Sequence, residues 1–422
     1  MVLISVLFVI GYVLIALEHP IKITKSATAL FLGNLLWLIW FIISPETAEN
    51  DLLKTLDDMS PILFFLMGAM TIVAVVDAND GFTLITSRIK TNSVRKLLWI
   101  IAWITFFMSA VLDNMTTAIV MVTLTGKLLP RIKTRLFFAA IIVIAANAGG
   151  AFSPIGDVTT TMLWIGGQIS ALGILERVFL SSVVNLLVPL LIVTRILHGT
   201  VRPPKEQEEF KKAEVSCWDR NVIFVVGIGG LLMVPVIKSV LHVPPYIAMM
   251  FSLGTLWLIA ELIRRKDGSE ENIHPSISNI LKVVDIPSIL FFAGILLAVG
   301  ALGAAGQLNA LAQMLDRTVG NISVITLIIG LVSSVVDNVP LVAAAIGMYD
   351  LAQFPMDSLL WEFLAYCAGT GGSILIIGSA AGVATMGIEK GISFGWYLRR
   401  VAPLALLGYG AGAAVYLLLR LL

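Results

Sequence analysis

Residues 109–118 read Ser-Ala-Val-Leu-Asp-Asn-Met-Thr-Thr-Ala, and residues 333–342 read Ser-Ser-Val-Val-Asp-Asn-Val-Pro-Leu-Val. Each puts an Asp-Asn pair in the middle of an apolar stretch, 97–125 and 321–349 respectively. The similarity extends at the same offset of about 225 residues: Asn147-Ala-Gly-Gly…Gly156 matches Gly369-Thr-Gly-Gly…Gly378, and Leu63-Phe64-Phe65 matches Leu290-Phe291-Phe292. The chain thus contains itself once, and in both copies the order is three spans, a hairpin, a broken helix and a final span.

Composition says what kind of solvent those copies sit in. Of 422 residues, 58% are hydrophobic and 13% charged, with a mean hydropathy of +0.96. Soluble domains carry about 45–50% apolar and about 25% charged residues. The fold class is therefore an all-α polytopic membrane protein. A net charge of +1 leaves no basic surface for nucleic acid. The two cysteines, Cys217 and Cys367, are too far apart in sequence and setting to suggest a disulfide framework or a metal site. The first apolar run lacks a basic flank and a cleavage site, so it reads as a retained span.

A helix rises about 1.5 Å per residue, so crossing the hydrocarbon takes roughly 20 apolar residues. Full-length candidates are 2–17, 27–43, 61–77, 171–194, 221–240, 246–263, 287–304 and 401–419. Four stretches are interrupted: 97–125 at Asp113-Asn114, 136–167 from Asn147 to Asp157, 321–349 at Asp337 to Pro340, and 359–390 from Gly369 to Ser379. Lys and Arg accumulate in cytoplasmic loops. With both termini outside, all of the 28 basic residues but Lys54, Arg177, Lys238, Arg317 and Arg420 lie inside, and the acidic 44–60 loop lies outside. That solution makes 97–125 a re-entrant hairpin entering from the cytoplasm and 321–349 one entering from outside. The organisation expected is two inverted-topology repeats, 1–198 and 221–422, joined by a cytoplasmic linker over 199–220. Inverted repeats with broken helices in corresponding places are the pattern of secondary transporters, whose site lies at the midplane where the breaks meet.

Three carboxylates fall at the breaks: Asp113, Asp157 and Asp337. An acidic side chain at bilayer centre costs roughly 2.5–3.5 kcal/mol even on a lenient scale, which makes function the default expectation. Helix capping is the competing role, since each Asp precedes a second helical piece. With the oxygen donors Asn114, Asn338, Asn147, Thr116, Thr117, Ser153, Thr159 and Ser373 nearby, the aspartates suit a hard-oxygen Na⁺ or Li⁺ site. Satisfying freed backbone groups is the alternative role for those neutral residues. Burial favours a protonated carboxyl and a bound cation favours the ionised one, so one Asp holds proton or cation in competition, and that is an exchange mechanism. The second half has Ser379 where the first has Asp157, which concentrates the chemistry on Asp113 and Asp157. No Arg or Lys stands at any break, which argues against an anionic substrate. Glu362 is expected at an interface, and the four histidines fall in loops. No nucleotide-binding or hydrolase motif is present, so the expectation is no enzyme activity and no cofactor.

The motifs around Asp113-Asn114, Asp337-Asn338, Asn147 to Thr159 and Gly369 to Ser373 resemble those of the NhaD-type sodium/proton antiporters of the ion transporter superfamily. The resemblance runs from about residue 60 to the C-terminus. It implies a bacterial inner-membrane exchanger of Na⁺ or Li⁺ for H⁺, a homodimer with a fixed and a moving part, and a cation site that includes Asp113, Asp157, Asp337, Asn114 and Asn338. Permeases for arsenite or di- and tricarboxylates, coupled to Na⁺ or H⁺, are the nearest alternative, and a passive cation channel is a more distant one.

Overall fold

Apolar runs with few charges become long helices here, and polar or glycine-bearing interruptions become their joints. The computed structural model describes residues 2–16, 18–86, 91–129, 131–197, 199, 216–267, 276–282 and 284–421. In chain order the helices are α1 (Val2–Ala16), α2 (Glu18–Ile21), α3 (Lys25–Ile43), α4 (Ala48–Ala78), α5 (Thr83–Thr86), α6 (Val94–Ser109), α7 (Asn114–Leu128), α8 (Ile132–Ala151), α9 (Val158–Ile165) and α10 (Ala171–Ile196). They continue as α11 (Cys217–Leu241), α12 (Pro245–Asp267), α13 (Ile277–Ile280), α14 (Ile286–Ala304), α15 (Gln307–Thr318), α16 (Ile322–Val332), α17 (Asn338–Met348), α18 (Leu359–Gly371), α19 (Ala380–Ile388), α20 (Phe394–Arg400) and α21 (Ala402–Leu421). Among the described residues there is no strand. Eight helices among the described residues are long and apolar enough to cross a membrane: α3, α4, α8, α10, α11, α12, α14 and α21.

Several expectations need correction. The run at 2–17 forms a helix of 15 residues, about 22 Å long, and falls short of a full crossing. The acidic 44–60 stretch is mostly the first part of the 31-residue α4, whose Glu49 and Asp51 sit in the first turn, where carboxylates favour the helix dipole. Asn147 and Gly369 lie inside α8 and α18, so these breaks begin later, at 152 and 372. The amphipathic α15 had no counterpart in the reading of spans; it meets α16 at a 118° bend across Gly320, whose φ is +66°. Most of the expected 199–220 linker, and with it His198, lies outside the described residues, as do His274 and residues 87–90. α11 already begins at Cys217, within that expected linker.

The glycines of α8 and α18 serve approach between helices rather than breakage. A Cβ on Gly149 would stand 2.0 Å from the Phe106 carbonyl oxygen on α6, and one on Gly371 would stand 2.0 Å from the Gly330 oxygen on α16. Hence α6 packs closely on α8, and α16 on α18. α8 and α18 are the most enclosed elements, with Phe138 to Ala151 and Leu360 to Gly371 buried without interruption.

The packing separates two groups. In one, α1, α3, α4, α11, α12 and α14 lie against one another. α3 runs beside α14, tied by Ser26 Oγ to the Pro287 carbonyl at 2.7 Å and by Trp37 Nε1 to the Leu297 carbonyl at 2.9 Å. In the other, α8 and α18 are surrounded by α6, α7, α9, α10, α16, α17, α19 and α21. The groups meet where α14 touches α17 and α4 touches α9.

Candidate functional site

Four half-helices begin near the middle of the second group: α7, α9, α17 and α19. Each starts with exposed backbone N–H groups and a positive dipole end, and each is capped by the residue before it. The Asp113 carboxylate accepts from the Thr116 N–H at 2.7 Å and from the Thr116 hydroxyl. Asp157 Oδ1 accepts from the Thr159 N–H and hydroxyl, both at 2.9 Å. Asp337 Oδ1 accepts from the Val339 N–H at 3.3 Å, and Ser379 Oγ from the Gly382 N–H at 3.2 Å. Capping is therefore a role of all three aspartates.

Asp157 does more than cap. It is 2% exposed, and its Oδ2 accepts from Asn114 Nδ2 at 2.8 Å and from Asn338 Nδ2 at 3.3 Å. Those asparagines open α7 and α17, so the starts of two half-helices converge on one carboxylate. Asn114 Nδ2 also donates to Asn147 Oδ1 at 3.1 Å. Asn147, fully buried, donates in turn to Ser373 Oγ and Ser379 Oγ, both at 2.9 Å. The result is one polar cluster, Asn114, Asn147, Asp157, Thr159, Asn338, Ser373 and Ser379, inside an otherwise apolar bundle. No ion pair to Asp157 occurs among the described residues. A buried carboxylate so placed carries its charge on hydrogen bonds and helix ends alone, the condition in which a small cation or a proton gains most by joining it.

Other expected residues stand outside this cluster. Asp113 and Thr116 pair with each other. Ser153 Oγ donates to the Ala110 carbonyl and braces the break. Thr117 Oγ1 is buried with no hydrogen-bond partner. Among the described residues no three His, Cys, Asp or Glu side chains gather as a metal-binding group.

Lys25 is a residue that sequence reasoning missed. Its Nζ lies 3.3 Å from Asp337 Oδ2 and 4.5 Å from the centroid of the Phe291 ring. This corrects the expectation that no cation stands at a break: the lysine arrives from α3, 312 residues away in sequence. Lys25 lines two cavities, one shared with Tyr12, Glu18, Asp337 and Ser379, the other with Asp113, Asn114 and Phe292. Ser379, singled out only as the counterpart of Asp157, belongs to the cluster. Its signal was its place in the repeat. Glu362, in the first turn of α18, is fully buried; it pairs with Arg177 at 2.9 Å and Arg420 at 3.3 Å and accepts from the Tyr416 hydroxyl at 2.8 Å. It ties α18 to α10 and α21 at a distance from the cluster.

Comparison with known proteins adds a lineage to this geometry. The family described as "CitMHS: Citrate transporter" matches residues 12–365. "Sodium/proton antiporter 2" of Arabidopsis thaliana is 44% identical over 98% of this chain and 98% of its own length. "Sodium/proton antiporter 1" of the same plant is 45% identical over 98% of this chain and 71% of its own. "Na(+)/H(+) antiporter NhaD" of Vibrio cholerae is 32% identical, covering 98% of this chain and 90% of that protein.

Proposed function

The chain belongs to the CitMHS citrate transporter family, and from that premise we propose that it exchanges Na⁺ for H⁺ across a membrane, with cation and proton competing for Asp157. The observation that carries the assignment to this site is the buried Asp157 carboxylate, without a cationic partner, faced by Asn114 and Asn338 from the two hairpin tips. The antiporters named above, alike along nearly their whole lengths, support the exchange itself.

Charge decides between cation and anion. Four helix N-termini contribute about half an elementary charge each, so roughly +2 in total, which by itself favours an anion. Three of the four caps are aspartates, and with Lys25 counted they bring the sum to about zero, which removes the excess positive charge a multivalent anion would need. Lys25 adds one positive charge, but Asp337 takes it up, so no free cation is left to clamp a carboxylate substrate. Citrate, arsenite and dicarboxylates are disfavoured on that ground.

The cycle follows from competition. At high pH Asp157 is ionised and takes Na⁺ or Li⁺, with Asn147, Thr159, Ser373 and the asparagine amide oxygens as neutral oxygen donors. The loaded site turns to the other side, Na⁺ leaves, and a proton takes its place before the return. An inverted pair of repeats supports such alternating access. The matched close approaches Gly149–Phe106 and Gly371–Gly330 agree with that symmetry, as do Gly156 on Ser109 O and Gly378 on Ser334 O, each 2.4 Å from an added Cβ. In the proposed motion, the group built on α3, α4, α12 and α14 stays fixed while the group around α8 and α18 moves. A homodimer in a bacterial inner membrane, with both termini periplasmic, completes the proposal. The charge pattern of the loops supports the orientation.

Everted vesicles from a strain without its own sodium antiporters test the function. A pH gradient made by respiration is followed by fluorescence while NaCl, LiCl, KCl or citrate is added. Dequenching by Na⁺ and Li⁺ but not K⁺ is expected; no response to any cation, with uptake of labelled citrate, would overturn the reading.

A further inference from the structure

Asp113 and Asp337 hold the same place in the two hairpins, yet their carboxylates are satisfied in different ways. After Asp113 the chain reads Asn-Met-Thr, and Thr116 gives both its N–H and its hydroxyl to the two carboxylate oxygens. After Asp337 it reads Asn-Val-Pro. Pro340 stands at the place of Thr116 and has neither group to give. Asp337 keeps one 3.3 Å bond from the Val339 N–H to Oδ1, and its Oδ2 goes to the Lys25 ammonium at 3.3 Å.

That ammonium is aimed from the other packed group. Lys25 is the first residue of α3; its own N–H donates to Glu18 Oε1 at 3.1 Å, and the adjacent Ser26 is tied to Pro287. The ammonium also rests 4.5 Å from the Phe291 ring centroid of α14. Its anion, in contrast, sits on the tip of the α16–α17 hairpin, one residue before the Asn338 that donates to Asp157. Lys25 lines one cavity with Asp337 at this tip and another with Asp113 and Asn114 ahead of α7.

We propose that Lys25 is a tethered cation that occupies Asp337 in place of the transported one, and so sets the affinity of the exchanger for Na⁺. The proposal rests on the reading of the hairpin tips and Asp157 as the exchange site. A Na⁺ ion that takes Asp337 Oδ2 has to displace a group of the same charge. The displaced ammonium keeps the face of Phe291, a favourable place for a cation, so displacement is reversible. It also cuts a polar link between α3 and the hairpin, which couples cation occupancy to freedom of the hairpin against the α3–α14 pair. Asp113, satisfied inside its own hairpin, has no such link, so the control acts from one half of the protein only.

Reconstituted full-length protein, assayed at one fixed pH for the half-saturating Na⁺ concentration, tests this. Lys25→Met is expected to lower that concentration at least about fivefold, the lower end of typical coupling between sites. Lys25→Arg, which keeps a tethered cation, is expected to stay close to the wild-type value. Pro340→Thr, which returns two donors to Asp337, is expected to move it in the same direction as Lys25→Met. A merely structural lysine would reduce the maximal rate or the yield and leave half-saturation unmoved. If Lys25→Met does not accumulate, Pro340→Thr decides alone, and an unchanged half-saturation overturns the proposal. Asp157→Asn separates the two levels. If that variant exchanges like the wild type, the site reading falls. If it is inactive while both Lys25→Met and Pro340→Thr leave half-saturation unmoved, the tethered cation alone falls.

Discussion

Asn147→Ala is the perturbation whose cost follows most directly from the geometry. Asn147 joins α8 to the two ends of the α18–α19 break and to the start of α7: it donates to Ser373 and Ser379, each at 2.9 Å, and accepts from Asn114 at 3.1 Å. A hydrogen bond contributes about 0.5–1.5 kcal/mol net, and stranding a buried partner costs more. Two of the partners have something to fall back on. Asn114 keeps Asp157 at 2.8 Å, and Ser379 keeps the Gly382 N–H at 3.2 Å. The Ser373 hydroxyl loses its bond from Asn147 in a site only 2% exposed. The expected loss is therefore about 2–3 kcal/mol of unfolding free energy, in the lower part of what three such bonds could give. The assay is denaturant unfolding in detergent of Asn147→Ala, Ser373→Ala and the double variant. Ser373→Ala alone should cost about 1 kcal/mol, and the pair should couple by about 1 kcal/mol because they share a bond. Strict additivity, within about 0.3–0.5 kcal/mol, would refute the claim that this bond joins the halves.

Three other expectations follow from packing, pairing and competition. Gly149→Ala and Gly371→Ala each drive a Cβ to 2.0 Å from a carbonyl oxygen on the neighbouring helix, and each should cost about 1–3 kcal/mol in thermal or denaturant unfolding. Gly126→Ala on α7 meets nothing within 4 Å and should be neutral or stabilising by up to about 1 kcal/mol. Glu362→Gln leaves Arg177 and Arg420 without their carboxylate. Both guanidiniums reach solvent, so a loss of about 1–3 kcal/mol is expected, below the range for a fully buried pair, with Na⁺ half-saturation unaltered. Lowering the pH should raise the half-saturating Na⁺ concentration, approaching about tenfold per pH unit once the proton holds the site; transport measured from pH 6 to 9 checks the slope.

The fold class was legible because bilayer physics leaves little freedom: a chain this apolar, with so few charges, has to satisfy its backbone in helices. The breaks at Asp113 and Asp337 were legible for the same reason, since these residues interrupt apolar runs and then cap α7 and α17. Asn147 and Gly369 were misread as breaks because small and polar residues usually end helices; here Gly149 and Gly371 let α6 and α16 approach within a Cβ's radius. The acidic 44–60 stretch looked like a loop by charge, yet its carboxylates suit the first turns of α4. At the site, Asn114, Asn147, Asp157 and Asn338 could be named from the motif, but their convergence on one carboxylate depends on tertiary packing. Lys25 could not be found from the sequence, because a basic residue near a span end normally faces solvent. The missing donors at Pro340 were the trace it left, and that trace has meaning only beside Thr116.

The central claim is that proton and cation compete for the Asp157 carboxylate. Its most direct test is Na⁺ binding by purified protein in detergent, measured with radioactive sodium at pH 8.5 and pH 6, for the wild type and Asp157→Asn. Wild-type binding that is saturable at pH 8.5 and weakened at pH 6, and absent at both values in Asp157→Asn while the protein stays folded, is the predicted result. Binding in folded Asp157→Asn equal to the wild type, with the same response to pH, would contradict it.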